Sequence, residues 1–251
     1  ELTVVIVTFK SDEKITNCLK SISTNIPVIV VENSDNKDFK KKIENISTNI
    51  NCILVGDNYG YSIANNIGLK SVKTKYALIL NPDTILDKDA IKNFFNTKEQ
   101  VKDFWLIGPA NNQIVHFNEN DSNLKEVNNL KGFAIFLNLS KFNQDYFDEN
   151  FFLFFEEIDL CRRVKKNKGK IYLDKQIYIK HDGASSVNKT NKLDLEKTRN
   201  WHWMWSTFYY QKKYKGFFLA FIIIFPKLIS AIFKSLFYLI ILNKKKREIY
   251  F

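Results

Sequence analysis

The chain has no G-x-G-x-x-G after its first apolar run and no G-x-x-x-x-G-K-[ST] anywhere. A dinucleotide fold and a P-loop nucleotidase are therefore disfavoured. Cysteine is scarce: Cys18, Cys52 and Cys161 are scattered, odd in number and without metal-ligand spacing. That argues against a disulfide framework and fits a reducing compartment. No basic-then-apolar leader precedes Leu2, so secretion is not expected. Crossing a bilayer takes roughly 20 consecutive apolar residues, and Pro226, Lys227 and Lys234 cut the one long apolar run into shorter pieces.

What is present supports a core. Of 251 residues, 45% are hydrophobic and 15% aromatic, enough for one domain or one domain with an appendage. The net charge of +11 divides unevenly. Residues 1–160 carry 17 Lys and Arg against 22 Asp and Glu, whereas residues 161–251 carry 21 against 5. Such asymmetry points to an anionic surface as partner of the basic half.

The tail decides between nucleic acid and lipid. Residues 216–243 read GFFLAFIIIFPKLISAIFKSLFYLIILN, followed by Lys244, Lys245, Lys246 and Arg247. Lys227 and Lys234 are seven apart and so share a helical face with Ser230, the pattern of a helix lying in the interface with its lysines toward phosphate. Trp201, Trp203, Trp205, Tyr209, Tyr210 and Tyr214 resemble an interfacial aromatic girdle. A buried C-terminal hairpin and a true span with snorkelling lysines are the alternatives. Nucleic-acid binding does not need so much Phe, Ile and Leu, so no nucleic-acid partner is expected.

In the first half, Leu2–Thr8, Val28–Glu32, residues 51–55 and Tyr76–Leu80 are short apolar or β-branched runs. Helical segments at 13–23, 39–47 and 62–72 separate them. This alternation predicts βαβ units and a parallel sheet covered on both faces, with ligands at the carboxyl ends of the strands. Polar residues cluster there: Thr8; Glu32, Asn33, Ser34 and Asp35; Asp57 and Asn58; Asn81 and Asp83. Polar strand-end loops are common, but four along one edge carry more weight. Without a glycine-rich phosphate loop, a nucleotide's phosphates need a divalent cation, for which Asp83 is the candidate ligand.

Residues 147–163, FDENFFLFFEEIDLCRR, place Glu149, Glu156, Glu157 and Asp159 beside aromatics and before two arginines. Apolar crowding disfavours a charged carboxylate and nearby cations favour it, so a base with a tuned pKa can sit here. An aromatic helix with solvent-facing acids is the plainer reading.

Together these segments resemble the family 2 glycosyltransferases, specifically a bacterial branch that includes rhamnosyltransferases. The matching pieces, in order, are VVIVTFKS (4–11), VIVVENSDN (28–36), DNYGYSIANNIGL (57–69), LILNPDT (78–84), LKGFAIFL (130–137), FDENFFLFFEEIDLCRR and HDGASS (181–186). The resemblance covers about residues 2–215.

It implies an α/β GT-A fold, a Rossmann-like nucleotide-binding half with a mostly parallel mixed sheet, to which the tail's own pattern adds C-terminal amphipathic membrane-associating helices. The implied domains are 1–200 (nucleotide-sugar half 1–100, acceptor half 101–200) and a tail, 201–251. The implied activity is inverting transfer from a nucleoside-diphosphate sugar, with rhamnose from dTDP-rhamnose first in order. The acceptor is a glycan or a polyprenyl-diphosphate-linked glycan. By the same resemblance Thr8, Glu32, Asn33 and Asp35 shape the nucleobase pocket, with Glu32 where the family usually has Asp. Asn58, Gly60, Tyr61, Asn65 and Asn66 frame nucleotide and sugar, the two asparagines at the start of a helix where capping competes.

Asn81 and Asp83 form the turn that replaces Asp-x-Asp. Asp83 and His181 are the implied ligands of Mn²⁺ or Mg²⁺. Glu157, where the family usually shows Asp, is the implied base. Gly132 and Glu156 lie on the acceptor side, Asp159 and Arg162 make an orienting ion pair, and Arg199 is near the diphosphate or the membrane. The expected location is peripheral, at the cytoplasmic face of a bacterial inner membrane bearing anionic lipid. A catalytically silent, nucleotide-sugar-binding membrane scaffold is the rival reading.

Overall fold

The computed structural model describes residues 1–11, 14–111, 122–181 and 192–250. The element order is β1 (Leu2–Thr8), α1 (Ile15–Lys20), β2 (Val28–Glu32), α2 (Lys37–Glu44), β3 (Ile50–Leu54), α3 (Gly60–Ser71), β4 (Tyr76–Leu80), β5 (Thr84–Leu86), α4 (Ala90–Val101) and β6 (Leu106–Pro109). Then come β7 (Leu124–Glu126), β8 (Ala134–Asn138), α5 (Glu156–Lys166), β9 (Ile171–Asp174), β10 (Ile179–His181), α6 (Lys192–Lys215), α7 (Phe217–Ile240) and α8 (Lys244–Tyr250). The chain divides into two compact units, one of Glu1–Glu149 with Glu156–Ser186, the other of Asn150–Phe155 with Val187–Phe251.

The first unit is built on an eight-stranded sheet of order β3-β2-β1-β4-β8-β6-β9-β7. The expected parallel half-sheet is there: β3, β2, β1 and β4 run parallel, and the order reverses about β1. The second half mixes directions, since β8 runs antiparallel to both β4 and β6. All seven residues of β1 are buried, as a strand covered by helices on both faces requires. Their alternation sorts them: Val4 and Ile6 join Val30, Leu78 and Phe136 on one face, while Val5 joins Ile79, Ile135 and Leu160 on the other. On the first face Phe94 stacks on Phe136 at 5.1 Å.

Helix α3 starts earlier than the sequence pattern indicates. Gly60, at φ +83°, turns the chain into the helix two residues sooner than expected. Asn65 and Asn66 consequently lie in its buried interior and do not cap its start, a correction to the expectation. Gly68 of the same helix has no room for a side chain, because a Cβ there would meet Val5 Cγ1 at 2.5 Å. Helix and sheet approach that closely because the residue is glycine.

The second unit corrects the reading of the tail in one respect. Pro226 does not divide the apolar run: α7 is one 24-residue helix with the proline inside it. A proline removes its own N–H bond, and the turns on either side keep theirs. Among the described residues α7 is also the one helix long and apolar enough to cross a membrane. The lysines of this helix are exposed, and each also faces an aromatic ring of a neighbouring helix. Lys227 Nζ lies 4.3 Å from the centroid of the Trp203 ring on α6, and Lys234 Nζ 4.9 Å from that of Tyr250 on α8. Each ammonium group has an aromatic ring on one side and stays exposed to solvent on the other. The other face of α7, including Phe218, Ile222, Phe225, Phe233, Leu236 and Ile240, is exposed and apolar.

Within this unit α6 also grips the short segment Asn150–Phe155. Phe151 meets Tyr209 edge-on, Phe152 stacks on His202 at 4.0 Å, and Phe155 stacks on Trp203 at 5.3 Å. Burial lowers the pKa of the His202 imidazole. Arg199 lies over the Phe154 ring at 5.9 Å.

Candidate functional site

The site assembles at the carboxyl ends of β1, β2 and β4. Pairing of β1 with β2 sets Thr8 opposite Glu32. Glu32 is only 2% exposed, and hydroxyls serve both of its oxygens: Thr8 Oγ1 donates to Oε2 and Ser34 Oγ to Oε1, each at 2.6 Å. Its extra methylene relative to aspartate is what reaches across to the neighbouring strand. Asn33 Nδ2 donates to the Gly60 carbonyl at 3.2 Å, and the Gly60 N–H to Asn58 Oδ1 at 3.2 Å. Asn33 Oδ1 and Asn65 Oδ1 are buried without a hydrogen-bond partner, whereas Asp35 is exposed. Asn66 is fully used inside the protein, donating to the Phe147 carbonyl and Glu149 Oε1 and accepting the Phe147 N–H. It braces α3 against the segment that leads toward the glutamates.

After β4 the chain reverses through Asn81, Pro82, Asp83 and Thr84. Proline suits the second position of such a turn, and the Thr84 N–H closes it on the Asn81 carbonyl at 3.2 Å. Thr84 Oγ1 and the Cys18 thiol donate to the same carbonyl. Burial pushes the Cys18 thiol up to about 12, with the Asp83 charge adding to it and the Thr84 contact opposing it, so it is an inert pin beneath the turn.

Antiparallel pairing of β5 with β10 sets His181 opposite Thr84. Asp83 Oδ1 then lies 3.4 Å from His181 Nε2. That oxygen is buried without a hydrogen-bond partner. An orphaned carboxylate oxygen beside an imidazole nitrogen is a donor pair suited to Mn²⁺ or Mg²⁺. Among the described residues no cluster of three or more His, Cys, Asp or Glu could hold a metal, so phosphate oxygens are needed to complete a shell. Residues 182–186 of the His181 motif lie outside the described residues.

The glutamates open α5, directly after two residues of left-handed backbone, Phe154 at φ +71° and Phe155 at φ +69°. Such a conformation costs a non-glycine residue roughly 1–3 kcal/mol. Glu156 Oε2 and Glu157 Oε2 are both buried without hydrogen-bond partners. Burial raises the pKa of both carboxyls. For Glu156 the neighbouring Glu157 charge adds to the rise, and for Glu157 the backbone N–H groups of Glu157 and Ile158 oppose it. Gly132 lies against this side chain, since a Cβ placed on it would meet Glu157 Cβ at 3.5 Å. Tyr61 stands between the two halves: its hydroxyl donates to the Gly132 carbonyl at 2.9 Å, with Asn81 Oδ1 at 3.5 Å. Burial first, and then the charges of Glu156, Glu157 and Asp83, push its ionisation up, so it stays a neutral donor.

Asp159 forms its ion pair with Arg163, one residue beyond the expected Arg162. Asp159 Oδ2 and Arg163 Nε are 2.8 Å apart, and the aspartate is fully buried. Four residues is the spacing that places two side chains on one helical face, a signal that was available in the sequence. Arg163 also donates to the Asp145 and Tyr146 carbonyls, tying α5 to that loop. Phe133, by contrast, left no mark in the pattern. Its ring stacks on His181 at 4.7 Å with the planes 6° apart, and its carbonyl accepts the Asn81 N–H at 2.9 Å.

Two substitutions check this geometry through stability. Tyr61→Phe leaves the Gly132 carbonyl without its donor and should cost about 1–3 kcal/mol, read in urea melts. Glu156→Gln should do the reverse at neutral and alkaline pH. A carboxyl whose folded pKa is raised contributes stability below its unfolded value, near 4.5, and loses that contribution as pH rises through the folded value. The amide does not ionise, so the variant's advantage over the wild type should grow between pH 5 and pH 8 and vanish near pH 4.

The family model described as Glycosyl transferase family 2 matches residues 3–160. The chain is 28% identical over 193 residues to the low-salt glycan biosynthesis hexosyltransferase Agl10 of Haloferax volcanii, covering 66% of this chain and 62% of that one. It is 32% identical over 99 residues to the teichoic acid poly(glycerol phosphate) polymerase of Staphylococcus epidermidis, covering 36% of this chain and 14% of that one. The chain thus spans less than two thirds of either relative. Among solved structures, S. aureus TarS superposes with a TM-score of 0.58 at 15% identity, over 80% of this chain and 65% of that one. TarS in complex with UDP-GlcNAc gives 0.56 at 16% identity, over 80% and 66%. At those identities the likeness is one of fold, and the fold is GT-A-like.

Proposed function

The chain belongs to glycosyl transferase family 2, and from that membership we propose that it transfers a sugar, with inversion, from a nucleoside-diphosphate donor to a glycan hydroxyl. The observation that carries the reading is the orphaned Asp83 carboxylate oxygen, 3.4 Å from His181 Nε2, at the same strand edge as a buried pair of glutamates. Asp83 and His181 would hold a divalent cation, whose chemistry here is to neutralise the diphosphate as it departs. Asn33, Asn58 and Gly60 form the loop beside which the nucleotide sits, with Thr8 and Glu32 beneath it.

Glu157 takes the proton from the attacking hydroxyl as the anomeric carbon gains oxocarbenium character. Burial supports this role, because a base is most useful when its pKa approaches the working pH. Asp159 and Arg163 hold the helix that carries it, and Tyr61 holds Gly132 against it.

The donor reading follows the motif resemblance: rhamnose from dTDP-rhamnose stands first. The names of the relatives, a hexosyltransferase and a protein complexed with UDP-GlcNAc, put UDP-linked hexoses and N-acetylhexosamines in the same panel. The acceptor is a glycan in cell-surface polymer synthesis, carried on a polyprenyl diphosphate. The exposed apolar face of α7, with the cations of α8 and of the end of α6, supports peripheral attachment to anionic lipid on the cytoplasmic side.

The test is release of nucleoside diphosphate from a donor panel, with Mn²⁺ or Mg²⁺ and detergent-solubilised lipid extract as acceptor. Cation-dependent turnover of one donor is the expected result. Donor binding without turnover on any extract would transfer the reading to a silent nucleotide-sugar-binding scaffold.

A further inference from the structure

His181 ends a three-residue strand, β10. Its pairing opposite Thr84 decides where the backbone lies. It does not decide the plane of the ring, because rotation about the outer imidazole torsion is broad. A cation ligand needs that plane settled, and in metal sites such orientation comes from groups outside the ligand set.

We infer that Phe133 is the positioning residue of the Asp83–His181 pair, holding the imidazole plane so that Nε2 faces the aspartate. This rests on the cation-site reading given above. Phe133 is 3% exposed and immediately precedes β8. Its ring lies 4.7 Å from the imidazole with the planes 6° apart. A parallel ring at that distance blocks rotation of the imidazole out of plane and leaves its nitrogen-bearing edge open toward Asp83 Oδ1.

The same residue steadies the other ligand. Its carbonyl receives the Asn81 N–H, and the next residue, Ala134, pairs opposite Leu80 in the strand that leads into the Asp83 turn. The Asp83 turn is thus located by the backbone of Phe133 and the His181 ring by its side chain. Gly132, just before it, lies against Glu157, so one dipeptide spaces the cation pair from the proposed base. A leucine here would keep the β8 register and the carbonyl bond but present no flat face.

The experiment titrates Mn²⁺ into the full chain in the presence of UDP or dTDP and counts free Mn²⁺ by electron paramagnetic resonance. Loss of an orienting contact should weaken Mn²⁺ about 10–100-fold in Phe133→Leu, while Phe133→Tyr, which keeps the ring, should stay close to the wild type. Phe133→Met, about the volume of leucine but unbranched and able to adapt its packing, should show the same loss, which separates ring orientation from a packing defect seen in thermal melts. Wild-type affinity in the Leu and Met variants overturns the inference, provided that Asp83→Asn has lost Mn²⁺. If Asp83→Asn binds Mn²⁺ as the wild type does, the cation reading fails first and takes the inference with it.

Discussion

Glu157→Gln should lower turnover by roughly 10²–10⁴, the range for loss of a positioned general base, with little change in donor affinity. The amide keeps the size of the side chain and the packing against Gly132, so what it removes is the ability to accept a proton. Steady-state nucleoside-diphosphate release against donor concentration separates the two effects, since an interaction used only in the transition state appears in kcat.

The pH profile sharpens this expectation. The proposed base works deprotonated, and burial holds both carboxyls above their ordinary range. Wild-type kcat should therefore rise with pH along a limb lying above that of an ordinary carboxylate. The apparent value belongs to the Glu156–Glu157 pair and not to either residue alone. In Glu157→Gln the limb should flatten, and in Glu156→Gln it should persist, because burial is what raises the Glu157 carboxyl. A Glu157→Gln enzyme with full activity and an unchanged limb would remove Glu157 from the chemistry.

Asp83→Asn is the second large effect. Its Oδ1 has no hydrogen-bond partner, so the substitution breaks no bond at that atom and the fold should melt within a few degrees of the wild type. What it removes is the negative charge that a divalent cation needs. Electrostatic stabilisation of a departing diphosphate is worth several kcal/mol, which corresponds to roughly a thousandfold or more in rate. Single-turnover assays over a Mn²⁺ series check this directly: the wild type should saturate, and the variant should show neither saturation nor appreciable rate. Equal rates with and without chelator in the wild type would count against a cation at this site.

Much of the architecture is legible in the sequence. Apolar runs of strand length alternating with helical segments predicted the parallel β3-β2-β1-β4 half, because covered strands must be apolar on both faces. The polar residues following those runs landed together at the strand ends, since parallel strands bring their carboxyl ends to one edge. The Asn81-Pro82-Asp83-Thr84 turn was equally readable, because proline and its neighbours carry turn geometry in their own backbone preferences. Where local signals misled, the cause was local too. Gly60 started α3 early and moved Asn65 and Asn66 into the helix interior, and Pro226 broke only its own hydrogen bond.

The sequence by itself determined the order of the first four strands and the helices between them, and the strand-end positions of Thr8, Glu32 and Asp83. These depend on side-chain periodicity and turn chemistry, which act over a few residues. The aromatics of 151–155 precede α5 and do not belong to it. Tertiary structure alone decided the rest: that His181 faces Asp83, through the pairing of β5 with β10; that Phe133 lies flat against it; that one carboxyl oxygen of each of Glu156 and Glu157 is buried without a partner; and that Lys227 and Lys234 lie over aromatic rings of neighbouring helices. Each is a contact between segments far apart in the chain. Strand pairing and helix packing select those contacts by burying whole faces, and no periodicity within either segment records which partner the other will be.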